Sequence, residues 1–157
     1  MRTLALALAF FSLAAAASAQ DPYKLKATAS KELRVHGYVR TDETCQGKEP
    51  PEVDLNVPPM GGITCVRPGL VRLHHVSSDR IQHCIGKRVG GIFVIYIPFE
   101  GFTGLDTMQY TVRTRSSQTY EAEITVEAGE AKAAGASSVP SELQKAGPIP
   151  KCPALVS

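Results

Sequence analysis

The clearest pattern in the chain is the alternation of apolar and polar residues, which has the period of a half-buried β-strand. From Tyr120 to Val126 every second residue is apolar, and the residues between them are Glu or Thr. Residues 108–113 alternate in the same way, and a polar turn at 115–118 joins the two runs. We therefore predict an antiparallel β-hairpin with one face in the core.

The strongest apolar run lies in the stretch 89–112, around which the other segments are arranged. Residues 92–97 are apolar on both faces, which is typical of a strand in the middle of a covered sheet. Pro98 and Gly101 then end this strand, because proline lacks the N–H that a sheet ladder needs.

Shorter runs before this stretch predict further strands. Alternation is present in patches over 23–39, with Leu33, Val35 and Val39 on one face, and it is complete over 53–57. Residues 63–67 and 70–76 are predicted as two strands separated by Pro68-Gly69. The polar segments 41–51 and 77–88 are predicted loops.

Together these runs predict about seven to nine short strands with turn signals at close spacing. Helical periodicity of useful length is confined to the first residues of the chain. The fold class predicted is all-β, an Ig-like antiparallel Greek-key β-sandwich of about seven to nine strands with a disordered C-terminal tail.

The ends of the chain differ in composition from its middle. Met1 and Arg2 precede an uncharged apolar run at 4–17, and Ala17-Ser18-Ala19 matches a signal peptidase site. The run is shorter than the ~20 residues that span a bilayer, so we expect no membrane insertion after cleavage. The predicted organisation is a signal peptide at 1–19, a sandwich domain at 20–127 and a flexible Ala/Gly/Ser/Pro-rich tail at 128–157.

Charge excludes some partners. The chain has 17 Lys+Arg against 15 Asp+Glu, without a basic block. Nucleic acid and anionic membrane are therefore poor candidates as ligands. The absence of Trp and the small number of other aromatic residues argue against a stacking surface for sugars or bases.

All four cysteines follow the predicted signal peptide: Cys45, Cys65, Cys84 and Cys152. An even number in an exported protein predicts two disulfides, for which three pairings exist. If Thr64 and Val66 face the core, Cys65 faces outward and can meet Cys152, which leaves Cys45 for Cys84. The rival pairing of Cys65 with Cys84 and Cys45 with Cys152 stays open.

Part of the central stretch resembles a known signature, carried by Tyr96-Ile97-Pro98, Gly101-Phe102-Thr103-Gly104, Asp106 and Tyr110-Thr111-Val112. It is similar to the end of bacterial Ig-like, cadherin-like repeats of secreted and surface proteins, here in a single copy. The resemblance covers about 53–126 and implies an antiparallel Ig-like sandwich rather than an activity.

Five residues of this signature are predicted to form a structural corner: Gly101, Phe102, Gly104, Asp106 and Tyr110. The glycines permit backbone conformations that a Cβ disfavours. Phe102 would anchor the corner in the core. Asp106 would accept hydrogen bonds from nearby backbone N–H groups and so brace the turn.

A metal site formed by histidine and cysteine residues is the most specific alternative to a purely structural role. Imidazole nitrogens suit copper and zinc, and a small periplasmic metal-binding protein would use His74, His83 and His36. Adjacent strand residues point to opposite faces, so His74 and His75 do not readily share an ion. Cys84 is more simply a disulfide partner, and the main expectation is that the protein holds no metal and no cofactor.

Catalysis is not predicted. His75, Ser77, Ser78 and Asp79 contain the letters of a hydrolytic triad, but a triad is a spatial arrangement and proximity in sequence does not indicate one. The G-x-S-x-G nucleophile elbow is missing from the sequence.

The function expected is therefore that of an exported, non-enzymatic Ig-like binding or structural module of the bacterial periplasm or cell exterior. Its partner would be another periplasmic or surface protein, contacted through the loops 41–51 and 77–88. A metal-binding protein is the first alternative, and an exported inhibitor that fills a hydrolase cleft with a disulfide-braced loop is the second.

Overall fold

The computed structural model describes residues 21–76, 78–129 and 144–153, so the predicted signal peptide lies outside the described residues. Within them the chain forms eight strands and one short 3-10 helix. No helix in this part of the chain has the length and apolar character needed to cross a membrane. In chain order the elements are β1 Tyr23–Thr28, β2 Leu33–Tyr38, β3 Glu52–Val57, β4 Gly62–Arg72, the 3-10 helix Asp79–Cys84, β5 Arg88–Pro98, β6 Gly104–Arg113, β7 Ser117–Glu127 and β8 Gly147–Pro148.

The strands form two sheets that pack face to face. One sheet has the order β1-β7-β6-β3-β8 and the other has the order β2-β5-β4. One sheet contains β2, β5 and β4, and the other contains β3, β6 and β7. An immunoglobulin sandwich distributes its strands in the same way. The all-β sandwich predicted from the alternation is therefore confirmed.

One strand pair departs from the antiparallel arrangement predicted. β1 runs parallel to β7, with Tyr23 opposite Ala122 and Thr28 opposite Glu127. β1 and β2 follow each other closely in the chain but belong to opposite sheets, so β1 lies along the free edge of β7. Apolar periodicity alone does not distinguish these directions, because both have side chains on alternating faces.

The core lies between the sheets and follows the predicted faces. The alternating apolar residues of β6 and β7 are buried in a single cluster with those of β3 and β5. In β5 the side chains of Val94, Ile95 and Tyr96 are completely buried. This burial on both faces agrees with the central position of β5 in its sheet.

The two strands predicted at 63–67 and 70–76 are a single strand. β4 continues through Pro68 and Gly69, pairing with β5 from Gly62 to Arg72, and ends before Leu73. β4 is the edge of its sheet, so the missing N–H of Pro68 costs no ladder hydrogen bond when it points away from β5. The sequence shows the proline, but it does not show that β4 is an edge strand, where a proline is tolerated.

The predicted flexible tail requires correction over 144–153. Residues 130–143 and 154–157 lie outside the described residues, whereas β8 pairs with the outer edge of β3. The N–H of Ile149 donates to the carbonyl of Val53 at 3.0 Å, and the Ile149 side chain is buried in the main core. A segment that buries an isoleucine and forms backbone hydrogen bonds belongs to the domain.

The same segment also covers the outer edge of β4. There the Gln144 side-chain amide forms the two hydrogen bonds that a neighbouring strand would form. Its Oε1 accepts from Thr64 N–H at 2.7 Å, and its Nε2 donates to Thr64 O at 2.8 Å. Val66 N–H donates to Pro150 O, and Cys152 N–H donates to Val66 O. Residues 144–153 thus join the edges of the two sheets along one side of the sandwich.

The predicted turn brace at Asp106 holds one end of the sandwich. Its Oδ1 accepts from the backbone N–H groups of Met60 and Thr107, each at 2.9 Å. Its Oδ2 accepts from Gly61 N–H and from the Tyr96 hydroxyl, each at 2.8 Å. Burial, together with the bond to Asp106, raises the pKa of the Tyr96 hydroxyl, which stays a donor.

Four of the five predicted corner residues meet at this end. Gly101 and Gly104 have φ of 77° and 114°, in the left-handed region that favours glycine. The Phe102 ring lies where a Cβ on Gly61 would be, and it packs against the core. Tyr110 is the exception, because it lies four residues beyond Asp106 on β6 and belongs to a separate tyrosine cluster described below.

Candidate functional site

The first of the two predicted partner loops is shaped by one aspartate. Asp42 Oδ1 accepts from the backbone N–H and the hydroxyl of Thr44, at 2.9 and 2.6 Å, and from Gln46 N–H at 3.3 Å. These bonds lower the pKa of the Asp42 carboxyl, and the Thr44 hydroxyl contributes most. The turn places Cys45 in the left-handed region, with φ of 63°.

The second loop contains the 3-10 helix. Ser78 caps its start by accepting from Arg80 N–H at 3.4 Å. After the helix the chain turns back at Gly86, whose N–H donates to Leu73 O at 2.8 Å. The predicted polar loop therefore has a regular turn of its own and is closed at its base by backbone hydrogen bonds.

A disulfide between Cys45 and Cys84 joins the two loops. We call residues 41–51 and 78–88 together the joined loop pair. His83 Nε2 lies 2.7 Å from Glu43 O, which adds a hydrogen bond between the loops. Beneath them Cys84 is fully buried in a small second core with Leu73 and Val89.

The outer face of the joined loop pair is polar with one exposed apolar residue. Glu43, Arg80, Gln82 and His83 are exposed, and Ile85 has 48% of its surface exposed. Arg80 and Glu43 approach to 3.7 Å, but an exposed pair of this kind contributes little to stability. These side chains are therefore displayed to solvent on a backbone held by covalent and hydrogen-bonded links.

The metal ligands considered in the sequence are not brought together. Within the described residues, one group of His, Cys, Asp or Glu side chains converges, and it is Cys45, His83 and Cys84. Both of these sulfur atoms belong to the disulfide. His36 lies on β2 and His74 is an exposed residue after β4, so neither joins His83 in a common site.

Of the residues considered for a hydrolytic triad, Ser78 and Asp79 form contacts within the 3-10 helix and its cap. Ser78 caps the 3-10 helix, and Asp79 Oδ1 accepts from the Gln82 side chain at 3.3 Å. Ser77 lies outside the described residues.

The second disulfide joins Cys65 to Cys152, so the structure has the pairing that the strand register favoured. Thr64 faces the core, where its hydroxyl lies 3.2 Å from Met108 Sδ. Val66 packs against the main core as well, so Cys65 points out of the sandwich. Cys65 is nevertheless buried, because the C-terminal segment covers it.

A tyrosine cluster at the joined-loop end of the sandwich was missed in the sequence. Tyr120 lies 5.9 Å from Tyr23, 5.6 Å from Tyr38 and 5.7 Å from Tyr110 between ring centroids. The hydroxyls of Tyr38 and Tyr110 are 2.9 Å apart. Burial raises the pKa of both hydroxyls, so they remain neutral hydrogen-bonding groups.

His36 extends this cluster. Its ring stacks on Tyr23 at 5.4 Å and lies 4.9 Å from Tyr38, and its partial desolvation lowers its pKa from 6.5. The alternation along β6 and β7 had placed Tyr110 and Tyr120 on the inward faces of their strands. The meeting of residues from four strands depends on the sheet order, which the sequence does not contain.

A shallow cleft of about 130 Å³ lies beside the cluster, lined by Asp21, Tyr23, Tyr120 and Glu121. This volume is well below the roughly 300 Å³ at which small-molecule sites begin. The cleft therefore gives no support to an enzyme-like pocket, and the joined loop pair is the better candidate for a functional surface.

Comparison of the chain with protein families, with curated proteins and with solved structures finds no match to any of the three.

Proposed function

We propose that the protein is an exported, non-enzymatic Ig-like module of the periplasm or cell exterior, and that it binds another protein through the joined loop pair. The observation that carries the proposal is the link between the loops. The Cys45–Cys84 disulfide and the contact from His83 to Glu43 hold together two loops that are distant in sequence. Loops on a rigid sandwich are the usual place for recognition in such folds.

Preorganisation supports binding by this surface. A loop that is ordered before association loses less conformational entropy when the complex forms. Ile85 provides an exposed apolar contact, and the surrounding charges of both signs suit a polar rim. A protein partner fits this mixed surface better than a nucleic acid, which requires a positive one.

The cysteines and the N-terminal sequence support the proposed location. Both pairs are bonded within the described residues, and such disulfides are typical of oxidising compartments. The signal-peptide pattern at 1–19 and the resemblance to cadherin-like repeats agree with export to the periplasm or cell surface.

A crosslinking experiment tests the proposal. A photoreactive amino acid replaces Ile85 in the full chain, expressed in cells that export it, and the crosslinked proteins are identified by mass spectrometry. The matched control carries the same group at Leu105, which is also exposed but lies at the opposite end of the sandwich.

We expect a defined partner to be captured from position 85 and not from position 105. Changing Cys45 and Cys84 together to serine should reduce capture, because the loops lose their covalent link. Equal capture at both positions, or no captured protein at position 85, would contradict the proposal.

A further inference from the structure

The two disulfides have different chemical surroundings. Lys87 Nζ lies 3.4 Å from Cys45 Sγ, and His83 Nε2 lies 3.7 Å from Cys84 Sγ. The Lys87 ammonium can therefore stabilise a thiolate at Cys45, whereas the shorter contact of His83 Nε2 is with Glu43 O at 2.7 Å. Stabilised thiolates are better leaving groups, so such surroundings favour exchange with an external thiol.

The other bond lacks these neighbours. Among the described residues, no nitrogen donor forms a hydrogen bond to the sulfur of Cys65 or Cys152. Cys65 is 1% exposed, and the backbone of Cys152 is bonded to Val66. Cys152 is half-buried, so it is the backbone pairing with β4 that keeps the two ends of this bond together.

Access is similar for the two bonds, because each joins a fully buried cysteine to a half-buried one. Cys45 is half-buried while its partner Cys84 is fully buried, so an external thiol reaches Cys45 first.

We propose that the Cys45–Cys84 disulfide is a thiol–disulfide exchange site for a dithiol reductant, whereas Cys65–Cys152 is structural. One thiolate of the reductant attacks Cys45 Sγ and forms a mixed disulfide with it. The bond to Cys84 breaks, and Cys84 leaves as a thiolate beside His83.

The second thiol of the reductant completes the reaction. After losing its proton to solvent, it attacks the reductant sulfur of the mixed disulfide, and Cys45 leaves as a thiolate beside Lys87. Two electrons pass from the dithiol to the protein, the reductant becomes a disulfide, and the two cysteines take up protons according to the pH. The fold is retained, because Cys65–Cys152 remains closed at the other end of β4.

The exchange would release the joined loop pair. After reduction the loops are held to each other by hydrogen bonds such as the one between His83 and Glu43. Residues 41–51 should then exchange backbone amide hydrogens faster than in the oxidised protein. The exchange chemistry of the bond does not depend on which partner the joined loop pair binds.

Graded reduction tests the proposal on the purified mature protein. The protein is incubated with increasing dithiothreitol, quenched by alkylation and mapped by mass spectrometry, and hydrogen exchange is followed in parallel. We expect Cys45 and Cys84 to be alkylated at a reductant concentration on the order of tenfold lower than Cys65 and Cys152. Simultaneous opening, or earlier opening of Cys65–Cys152, would overturn the proposal.

Two charge variants test the assigned surroundings. Lys87→Gln should slow the second step by about threefold, because the Cys45 thiolate that leaves the mixed disulfide loses its cation. Lys48 carries the same charge in the other loop of the joined loop pair and forms no bond to either sulfur, so Lys48→Gln should leave the rate unchanged. Equal effects of the two substitutions would overturn the role of Lys87.

Discussion

At the scale of single residues, Asp106 shows how one buried carboxylate organises one end of the sandwich. Four donors from three segments converge on its two oxygens, and the residue is 5% exposed. A buried charge is tolerated when its lone pairs are used in this way. The carboxylate thus fixes the turn before β4 against the start of β6, in opposite sheets.

Replacing this carboxylate by an amide should therefore be costly. In Asp106→Asn one acceptor oxygen becomes an NH₂ group that faces donors, so we expect a loss of about 2–4 kcal/mol in the free energy of unfolding. Urea denaturation measures the loss. Glu127→Gln, in an exposed pair with Lys26, is the matched control and should change the value by less than about 0.5 kcal/mol. Equal effects would show that Asp106 is not the brace.

At the scale of elements, the segment 144–153 covers the outer edges of two strands, β3 and β4. Free strand edges expose unpaired N–H and C=O groups and invite association with other chains. Here β8 covers the edge of β3, and the Gln144 side chain with residues 150–152 covers the edge of β4. The segment therefore protects the sandwich on the side where both sheets would otherwise end.

Gln144 provides a direct test of this role. Gln144→Ala leaves the backbone N–H and C=O of Thr64 without their partners, and we expect a loss of about 1–3 kcal/mol in the free energy of unfolding. Faster amide exchange at Thr64 should accompany it. The neighbouring exposed residue gives the control, and Lys145→Ala should alter neither quantity. Unchanged protection of Thr64 in the Gln144 variant would contradict the edge-covering role.

At the scale of the whole molecule, the two disulfides act on different parts of the sandwich. Cys45–Cys84 joins residues 39 apart and fixes the loops at one end. Cys65–Cys152 joins residues 87 apart and fixes the C-terminal segment to β4. By loop-closure entropy each bond contributes about 4–5 kcal/mol, which together is comparable to the total stability of about 5–15 kcal/mol for a domain of this size.

Complete reduction should therefore remove most of the stability. We expect the protein with all four cysteines reduced and alkylated to lose its cooperative unfolding transition, as followed by circular dichroism during urea titration. Protein reduced at Cys45 and Cys84 alone should keep the transition at a lower midpoint. A fully reduced protein that still unfolds cooperatively near the oxidised midpoint would contradict the expectation.

The sequence by itself determined the strands and the faces that they bury. Alternation at 108–112 and 120–126 defines the inward side chains because neighbours on a strand point to opposite faces, whatever the sheet order. The same local argument showed that Cys65 faces outward if Thr64 faces the core, and turn chemistry within the cadherin-like signature indicated Asp106 as a turn brace. The two loops of the candidate site were also recognised from their composition.

Only the tertiary structure decided which distant segments meet. The single strand through Pro68 depends on the edge position of β4, and the order of 144–153 depends on free edges that its composition does not reveal. The joining of the loops by Cys45 and Cys84, and the tyrosine cluster, depend likewise on sheet order. Local periodicity fixes the direction of a side chain, whereas its neighbours across the sandwich are set by how the sheets pair and pack.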